Sequence, residues 1–302
     1  MTQQPAPFAA FEWMIAWRYL RARRAEGGVS VMTWISVIGI TLAVFALIAT
    51  LAVRSGFRAE FVDTILGANA HVTIYANVHL TEAGQPTRTI SDYAGMAARL
   101  AEVPGVTRAA PMIRGQIMAS QGSESAGVEV FGLTQRDLLT IPRVAGSQDA
   151  RGDIGRFNEG IAIGSGVARE LGVDVGDSIR LISPDGVRTA FGTSPRVNAY
   201  EVVYIFTAGR YDIDRTRVYM PFAEAQSYFN REGVADEIEV MVDDPENIDA
   251  LAPALMRAAG EQILLWTWRD SAGSFLRALD MEDNVMFVIL SILVLIAAMN
   301  IV

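Results

Sequence analysis

Residues 31–53 read VMTWISVIGITLAVFALIATLAV, without one charged side chain. As a helix rising about 1.5 Å per residue, this run is roughly 34 Å long, enough for a hydrocarbon core of about 30 Å. A cleaved signal peptide is the competing reading. Its apolar stretch would be about 7–15 residues, closed by small residues at the cleavage site. Here the run is longer, and Arg54, Ser55 and Gly56 follow it. It reads as an uncleaved membrane helix.

The flanks set its direction. Arg18, Arg21, Arg23 and Arg24 precede the run against Glu12 and Glu26. After it, Arg54 and Arg58 are offset by Glu60 and Asp63. An excess of basic residues marks the cytoplasmic side. Residues 1–30 are therefore expected in the cytoplasm, with Trp34 near the inner interface and the following chain outside. Residues 8–24, FAAFEWMIAWRYLRARR, mix aromatics with Arg at near-helical spacing. They read as an amphipathic helix on the inner leaflet, or as an ordinary basic flank.

A second uncharged run, VMFVILSILVLIAAMNIV, occupies residues 285–302. At about 1.5 Å per residue it spans roughly 27 Å, slightly short of a bilayer core. It reads as an incomplete second membrane helix returning to the cytoplasm, and the sequence as a piece of a longer membrane protein. On the first run, Gly39, Ala43, Ala46 and Thr50 recur at spacings of three and four. Small residues so placed let a neighbouring helix approach closely, although they are also common in any membrane helix.

Residues 54–284 carry 21 Arg and 32 acidic residues, a net charge of −11 (21 − 32). Two apolar ends around a charged middle describe a tethered soluble domain. The acidic balance argues against a nucleic-acid surface. There is no Cys and no Lys. Disulfides, thiolate metal sites, Schiff bases and a phosphate-loop lysine are excluded.

The middle divides further. Residues 54–66 continue the first helix as a stalk, with Phe57, Phe61 and Leu66 on one face and a break permitted at Gly67. HVTIY (71–75) alternates as a strand. A helix capped by Ser91 carries Tyr93, Met96, Ala97 and Leu100 on one side, and a strand covers 106–119. The same order recurs later: strand EIEVMV (237–242), a helix opened by Asp244 and Pro245 through Ile248, Leu251, Leu255 and Met256, and strand ILLWTW (263–268). The expected class is α+β: split ferredoxin-like βαβ units over 67–124 and 231–270. A β-rich insert fills 125–230, and a return stalk covers 271–284. Within the insert, VEVFGL, GIAIG, DSIRLIS, AYEVVYIF and RVYMP read as strands, with helices near Val167–Leu171 and Phe222–Asn230.

SPDGVRTAFGTSPR (183–196) lies between two of these strands. Asp185–Gly186 is a turn signal, so an extended, exposed hairpin or loop is expected. A plain connection is the ordinary reading, but this one is long, and long ordered loops tend to be functional.

No catalytic constellation stands out. His71 and His79 lack metal-ligand or triad spacing. GIAIGSGVARELG is only superficially a phosphate loop, and its glycines suit a turn before a helix. Asp212–Asp214 reads as a turn. Asp243–Asp244 and Asp280–Asp283 sit at helix ends, where capping explains them. The sequence points to a protein that is not an enzyme.

The stretches WRYLRARRAEGGVS, MTWISVIGITLAVFALIATLAVRSGFRAEFVDTILG, GVARELGVDVGDSIRLISP, RVYMPFAEAQSYF and ALDMEDNVMFVILSILVLIAAMNIV together resemble the lipoprotein-releasing permeases, the LolC/LolE family, with its MacB-like domain plan. The resemblance extends over nearly all of the chain. It implies a permease subunit of an ABC transporter in a bacterial inner membrane, truncated within the second of four membrane helices. Its implied partners are a second permease subunit, a LolD-like cytoplasmic ATPase that uses ATP and Mg, triacylated lipoproteins, membrane lipid and a LolA-like periplasmic carrier. No cofactor or metal is implied for this chain. The family's carrier-binding hook falls on Arg180, Ser183, Pro184, Pro195 and Arg196. The lipid-entry cavity maps to Val53, Arg54 and Phe57. Arg54 departs from the family, where an apolar residue is usual. MacB-like efflux permeases, FtsX-like regulators and membrane-anchored sensors share the same outline.

Overall fold

The computed structural model describes residues 10–21, 27–66, 69–80, 86–189, 192–260 and 262–299. The chain forms two units, residues 1–59 with 275–302, and residues 60–274.

The first unit holds α1 (Ala10–Arg21), most of α2 (Gly27–Leu66) and most of α8 (Gly273–Met299). Within α2, Thr33–Phe57 has a mean hydropathy of 2.5 and is the one helix among the described residues long and apolar enough to cross a membrane. Two hydroxyls inside these helices are satisfied by their own helix backbone. Thr41 donates to the Val37 carbonyl at 2.7 Å and Ser291 to the Phe287 carbonyl at 2.7 Å, as an apolar surround demands. In α1, Trp13, Met14 and Trp17 are exposed. Residues 8, 9 and 22–24 of the expected amphipathic segment, Gly67, and residues 300–302 of the second apolar run lie outside the described residues. So do the side chains of Phe61, Asp280 and Asp283.

The second unit begins with β1 (Val72–Ala76), α3 (Tyr93–Ala101) and β2 (Val106–Gln121). It ends with β8 (Glu237–Val242), α7 (Ile248–Ala259) and β9 (Ile263–Thr267). These four strands pair antiparallel in the order β9-β1-β8-β2. This is the strand order of a ferredoxin-like sheet assembled from two distant βαβ units. Alternation explains why it packs. Val72 and Ile74 of β1 and Ile238 and Val240 of β8 turn one way and are fully buried, against the face that α3 and α7 cover. Helix ends are tied across this layer, with Arg99 Nε donating to the Ala258 carbonyl at 3.1 Å.

Two local expectations shift. Helix α3 is capped by Asp92 rather than Ser91, without a side-chain cap bond, because the Asp92 carboxylate pairs with Arg99 at 3.1 Å. Trp268 leaves the strand and opens a short helix, Trp268–Ser271, under a capping box between Thr267 and Asp270.

The middle of the unit contains β3 (Glu124–Leu133), β4 (Ile161–Gly164), α4 (Ser165–Leu171), β5 (Ser178–Thr189), β6 (Gly192–Phe206), α5 (Tyr211–Thr216), β7 (Arg217–Pro221) and α6 (Phe222–Tyr228). Its pairings run β2-β3-β7-β4-β6-β5 and return from β5 to β2. The ring of hydrogen bonds is therefore closed, which removes sheet edges. Every strand sends one face inward, including Ile117, Val128, Ile163, Leu181, Ile205 and Val218. The outer faces of β3, β4, β6 and β7 bury a second core under the segment 135–159, with Phe131, Phe157, Phe206 and Tyr219 at its centre. Gly132 is required inside the ring, because a Cβ there would overlap the Ala225 Cβ of α6.

Strand β2 belongs to both layers. Residues 106–112 pair with β8 and residues 113–121 with β3. The sheet thus changes partners between Met112 and Ile113, ahead of the 124–125 division drawn from sequence. Asp212 and Asp214 lie in α5 and not in a turn. Acidic residues in a first turn favour a helix, and Asp214 also accepts from the Ala208 and Gly209 amides at 2.6 and 3.2 Å.

Candidate functional site

Strands β5 and β6 form one long hairpin whose register runs from Ser178↔Glu201 to Thr189↔Gly192. Ala190 and Phe191 lie outside the described residues. The ladder continues past Asp185–Gly186 to Thr189↔Gly192, so Asp185–Gly186 makes no turn. The register shifts between Ser183 and Val187. Pro184 and Pro195 stand at this shift. Neither ring can donate to a ladder, which confines proline to edges and bulges. Gly186 belongs there because a Cβ would overlap the Ser194 carbonyl.

The hairpin's base is built into the ring, since Met118, Ala119 and Ser120 pair with Ile182, Leu181 and Arg180. Alternation then sorts the side chains. Ile179 and Leu181 are fully buried inside. Arg180, Ile182 and Pro184 face outward, and Met118, Ile182 and Val197 form one cross-strand row. Met118 and Val197 are about half exposed. This row borders an open groove of about 690 Å³ lined by Ile117, Met118, Val128, Ile182, Pro184 and Pro195. Its volume falls within the usual range of ligand sites. Gly127 also lines it, and a Cβ there meets nothing within 4 Å.

The five residues assigned to a hook by resemblance separate into two groups. Pro184 and Pro195 both line the groove, and Arg180 stands exposed on the same face, two rows behind Pro184. Ser183 is buried. Arg196 turns inward and grips the end of α6. Its Nη1 donates to the Ser227 and Tyr228 carbonyls, the latter at 2.8 Å, and its Nη2 donates to Asn230 Oδ1 at 2.8 Å. A guanidinium at a helix C-terminus satisfies orphan carbonyls and complements the dipole. Beside it, Tyr200 donates to Glu224 at 2.7 Å. Burial raises the Tyr200 hydroxyl pKa, and burial pushes that of Tyr228 up to about 12. Both hydroxyls remain neutral, and Tyr200 is the one that donates.

Met118, Ile182 and Val197 were not singled out from sequence. Their signal is an apolar residue where strand alternation calls for a polar one: Ile182 follows Arg180 on the outer face.

In the first unit, Val53, Arg54 and Phe57 are exposed on α2. The half-buried stripe of this helix is Ser36, Ile40, Ala43, Leu47 and Thr50. Ala43 and Thr50 of the expected packing face belong to it, whereas Gly39 and Ala46 are exposed.

His71 Nδ1 accepts from the Val242 amide at 3.0 Å, and burial lowers its pKa. His79 is exposed. Gly164 and Gly166 make no phosphate loop; they admit the backbone of Asp214 and Arg215 at van der Waals contact. Among the described residues, no cluster of three His, Cys, Asp or Glu could hold a metal.

The MacB-like periplasmic core domain family matches residues 33–258. The lipoprotein-releasing system transmembrane protein LolC of Xylella fastidiosa is 31% identical over 95% of this chain and 68% of its own length. LolC of Neisseria meningitidis is 27% identical over 97% of this chain and 69% of its own. LolE of Haemophilus influenzae is 26% identical over 96% and 69%. Among solved structures, the periplasmic region of MacB from Actinobacillus actinomycetemcomitans covers 70% of this chain and 97% of its own, at 10% identity and a TM-score of 0.45. The extracellular domain of the transporter YknZ covers 65% and 100%, at 15% identity and a TM-score of 0.41. With the family domain over three quarters of its length and relatives aligned almost end to end, the chain belongs to the LolC/LolE family of lipoprotein-releasing transmembrane proteins.

Proposed function

We propose that this permease subunit extracts lipoproteins from the outer leaflet of the inner membrane and passes them to a periplasmic carrier at the β5–β6 hairpin. The observation that carries the hand-off is the outward row Met118–Ile182–Val197, which borders a groove lined by Pro184 and Pro195. Exposed apolar residues around a concave surface are the usual mark of a docking site. Arg180, exposed behind the groove, offers a fixed fork for a carrier carboxylate or carbonyl.

The N-terminus lies in the cytoplasm and residues 54–284 in the periplasm. Val53, Arg54 and Phe57 border the cavity through which acyl chains enter. Arg54 reaches the headgroup layer or the polar part of the lipoprotein. A second permease subunit packs on the stripe through Ala43 and Thr50. A separate cytoplasmic ATPase hydrolyses ATP with Mg, and this chain is not an enzyme. Closure of the ATPase drives α2 and α8 together, and the stalks 54–66 and 271–284 pass that movement outward.

Gly127→Leu tests the groove with little risk to the fold, because the new side chain enters open space. It is expected to abolish capture of the purified carrier while leaving lipoprotein binding intact. Unchanged capture would remove the groove from the hand-off. Crosslinks from Val53→Cys or Phe57→Cys to lipoprotein test the cavity, and no adduct without ATP hydrolysis would reject it.

A further inference from the structure

The joint between the two layers of residues 60–274 is lined with charge. Strand β2 leaves β8 at Met112 and takes up β3 at Ile113. Arg114, just past this exchange, reaches back across it. Its backbone is fixed, with the amide donating to Asp236 Oδ2 at 3.0 Å. Its guanidinium is divided. Nε and Nη2 hold Glu129 Oε1 of β3 at 2.8 and 2.6 Å. Nη1 stands 3.9 Å from Glu237 Oε1 of β8, an ion-pair distance too long for a hydrogen bond.

The two carboxyl groups differ in their surroundings. Glu237 is 2% exposed. Tyr75 of β1 lies directly opposite and hydrogen-bonds to it. Asp236 and Glu239 of its own segment oppose its charge, and Arg114 favours it. Arg231 pairs with Asp236 at 3.0 Å, and the buried Arg108 pairs with Glu239 at 2.8 Å. Burial, with Glu239 adding to it, pushes Glu237 up to about 7, so this group gains or loses its proton in the neutral range. Glu129 instead lines the groove of the hairpin. The exposed Gln116, of the same lining, sits opposite it in the β2–β3 ladder. Arg217, beside Glu129 on β7, turns both terminal nitrogens to Asn69 Oδ1 at 3.2 Å.

We propose that Arg114 is a proton-set switch at this groove, covering Glu129 while Glu237 is protonated and moving to Glu237 when it is not. The neutral Glu237 exerts little pull, so Arg114 stays on Glu129 and neutralises it. When the Glu237 proton passes to solvent, the new anion draws Nη1 into contact. The guanidinium is a rigid plane, so closing Nη1 on Glu237 pulls Nε and Nη2 off Glu129. The Glu129 carboxylate is then bare beside the groove. Taking a bare carboxylate out of water is costly, so an apolar occupant holds the groove more weakly at higher pH. The switch itself needs no partner, whereas its effect on the carrier rests on the hand-off reading above.

The chain has no Cys, so Gln116→Cys places a single thiol opposite Glu129 in the full chain assembled with its ATPase partner. Its maleimide labelling rate is measured from about pH 5.5 to 8, below the ordinary thiol pKa of about 8.5, where the rate rises about tenfold per pH unit. Uncovering Glu129 raises the thiol pKa, so the rise lags by about threefold around the Glu237 value of about 7. Glu237→Gln removes the lag, and so does Glu129→Gln. Tyr75→Phe takes a donor from the Glu237 carboxylate and moves the lag to higher pH, which serves if Glu237→Gln loses its unfolding transition. A straight rise in the parent, or a lag that survives either glutamine variant, overturns the switch. Capture of purified carrier falls about threefold over the same range in the parent and stays constant in Glu237→Gln. Constant capture in the parent beside a clear lag overturns the effect on the carrier. No capture at any pH overturns the hand-off reading, and the labelling rates then decide the switch alone.

Discussion

The Arg196 guanidinium donates to the Tyr228 carbonyl at 2.8 Å and its carbon lies 6.0 Å from the Tyr228 ring centre. One side chain thus fastens the base of the exposed hairpin to the end of α6. Arg196→Ala removes three charge-assisted hydrogen bonds and is expected to cost about 2 kcal/mol. For a unit of this size that lowers Tm by roughly 4–8 °C, read by thermal unfolding in detergent. Arg196→Lys recovers part of the loss, because an ammonium cannot reproduce the fork. Carrier capture weakens in proportion to the unfolding shift, since the residue acts through the hairpin's base.

Where the two layers meet, Arg108 Nη2 and Glu239 Oε2 pair at 2.8 Å with both side chains almost wholly buried. Arg108 Nη1 also donates to the Asp137 carbonyl at 3.3 Å. Glu239→Gln leaves a buried guanidinium without its counter-charge and is expected to destabilise by about 3–5 kcal/mol. Replacing both partners with Arg108→Met and Glu239→Leu restores most of that loss. Denaturant titrations of the single and double variants decide it. Equal losses would mean that the ion pair is not what holds the junction.

Next to that pair, burial pushes the Glu237 carboxyl up to about 7, with Glu239 adding to the rise. Arg114 at 3.9 Å opposes it. The folded state thus holds a proton that the unfolded chain releases near 4.5. Stability from this group is fully present below the unfolded value and is lost as pH rises through about 7, an effect on the order of 2–3 kcal/mol. His71 acts the other way. Its lowered pKa removes stability as pH falls below about 6.5. Glu237→Gln should be more stable than the parent at pH 8 and indistinguishable from it at pH 4.5. Unfolding curves at these two values are the check, and an equal difference at both would reject the assignment.

The sequence made the strands legible and concealed how they close. EIEVMV and RVYMP match the observed strands residue for residue, because each sits between turn residues and is rich in β-formers. The recurrence of strand–helix–strand on both sides of the insert was enough to indicate ferredoxin-like units, while their strand order came from the structure. The closed ring was not visible. The pairing of Met118 with Ile182 joins residues far apart in sequence, and no local pattern encodes such a contact. The turn signal at Asp185–Gly186 misled for a physical reason. Gly186 is needed for close backbone approach to Ser194 at a register shift, and a bulge calls for the same residue as a turn. Arg196 was placed on the hook by resemblance alone, and its bonds to the end of α6 could not be read from sequence, since they join residues about 30 positions apart.

The hand-off itself is tested most directly by shortening the hairpin, with residues 187–193 replaced by Asn-Gly, in the full transporter reconstituted in proteoliposomes. The measurement is ATP-dependent transfer of lipoprotein to soluble carrier. The account predicts that ATP hydrolysis and lipoprotein binding persist while transfer is lost. Transfer at the unmodified rate would contradict it.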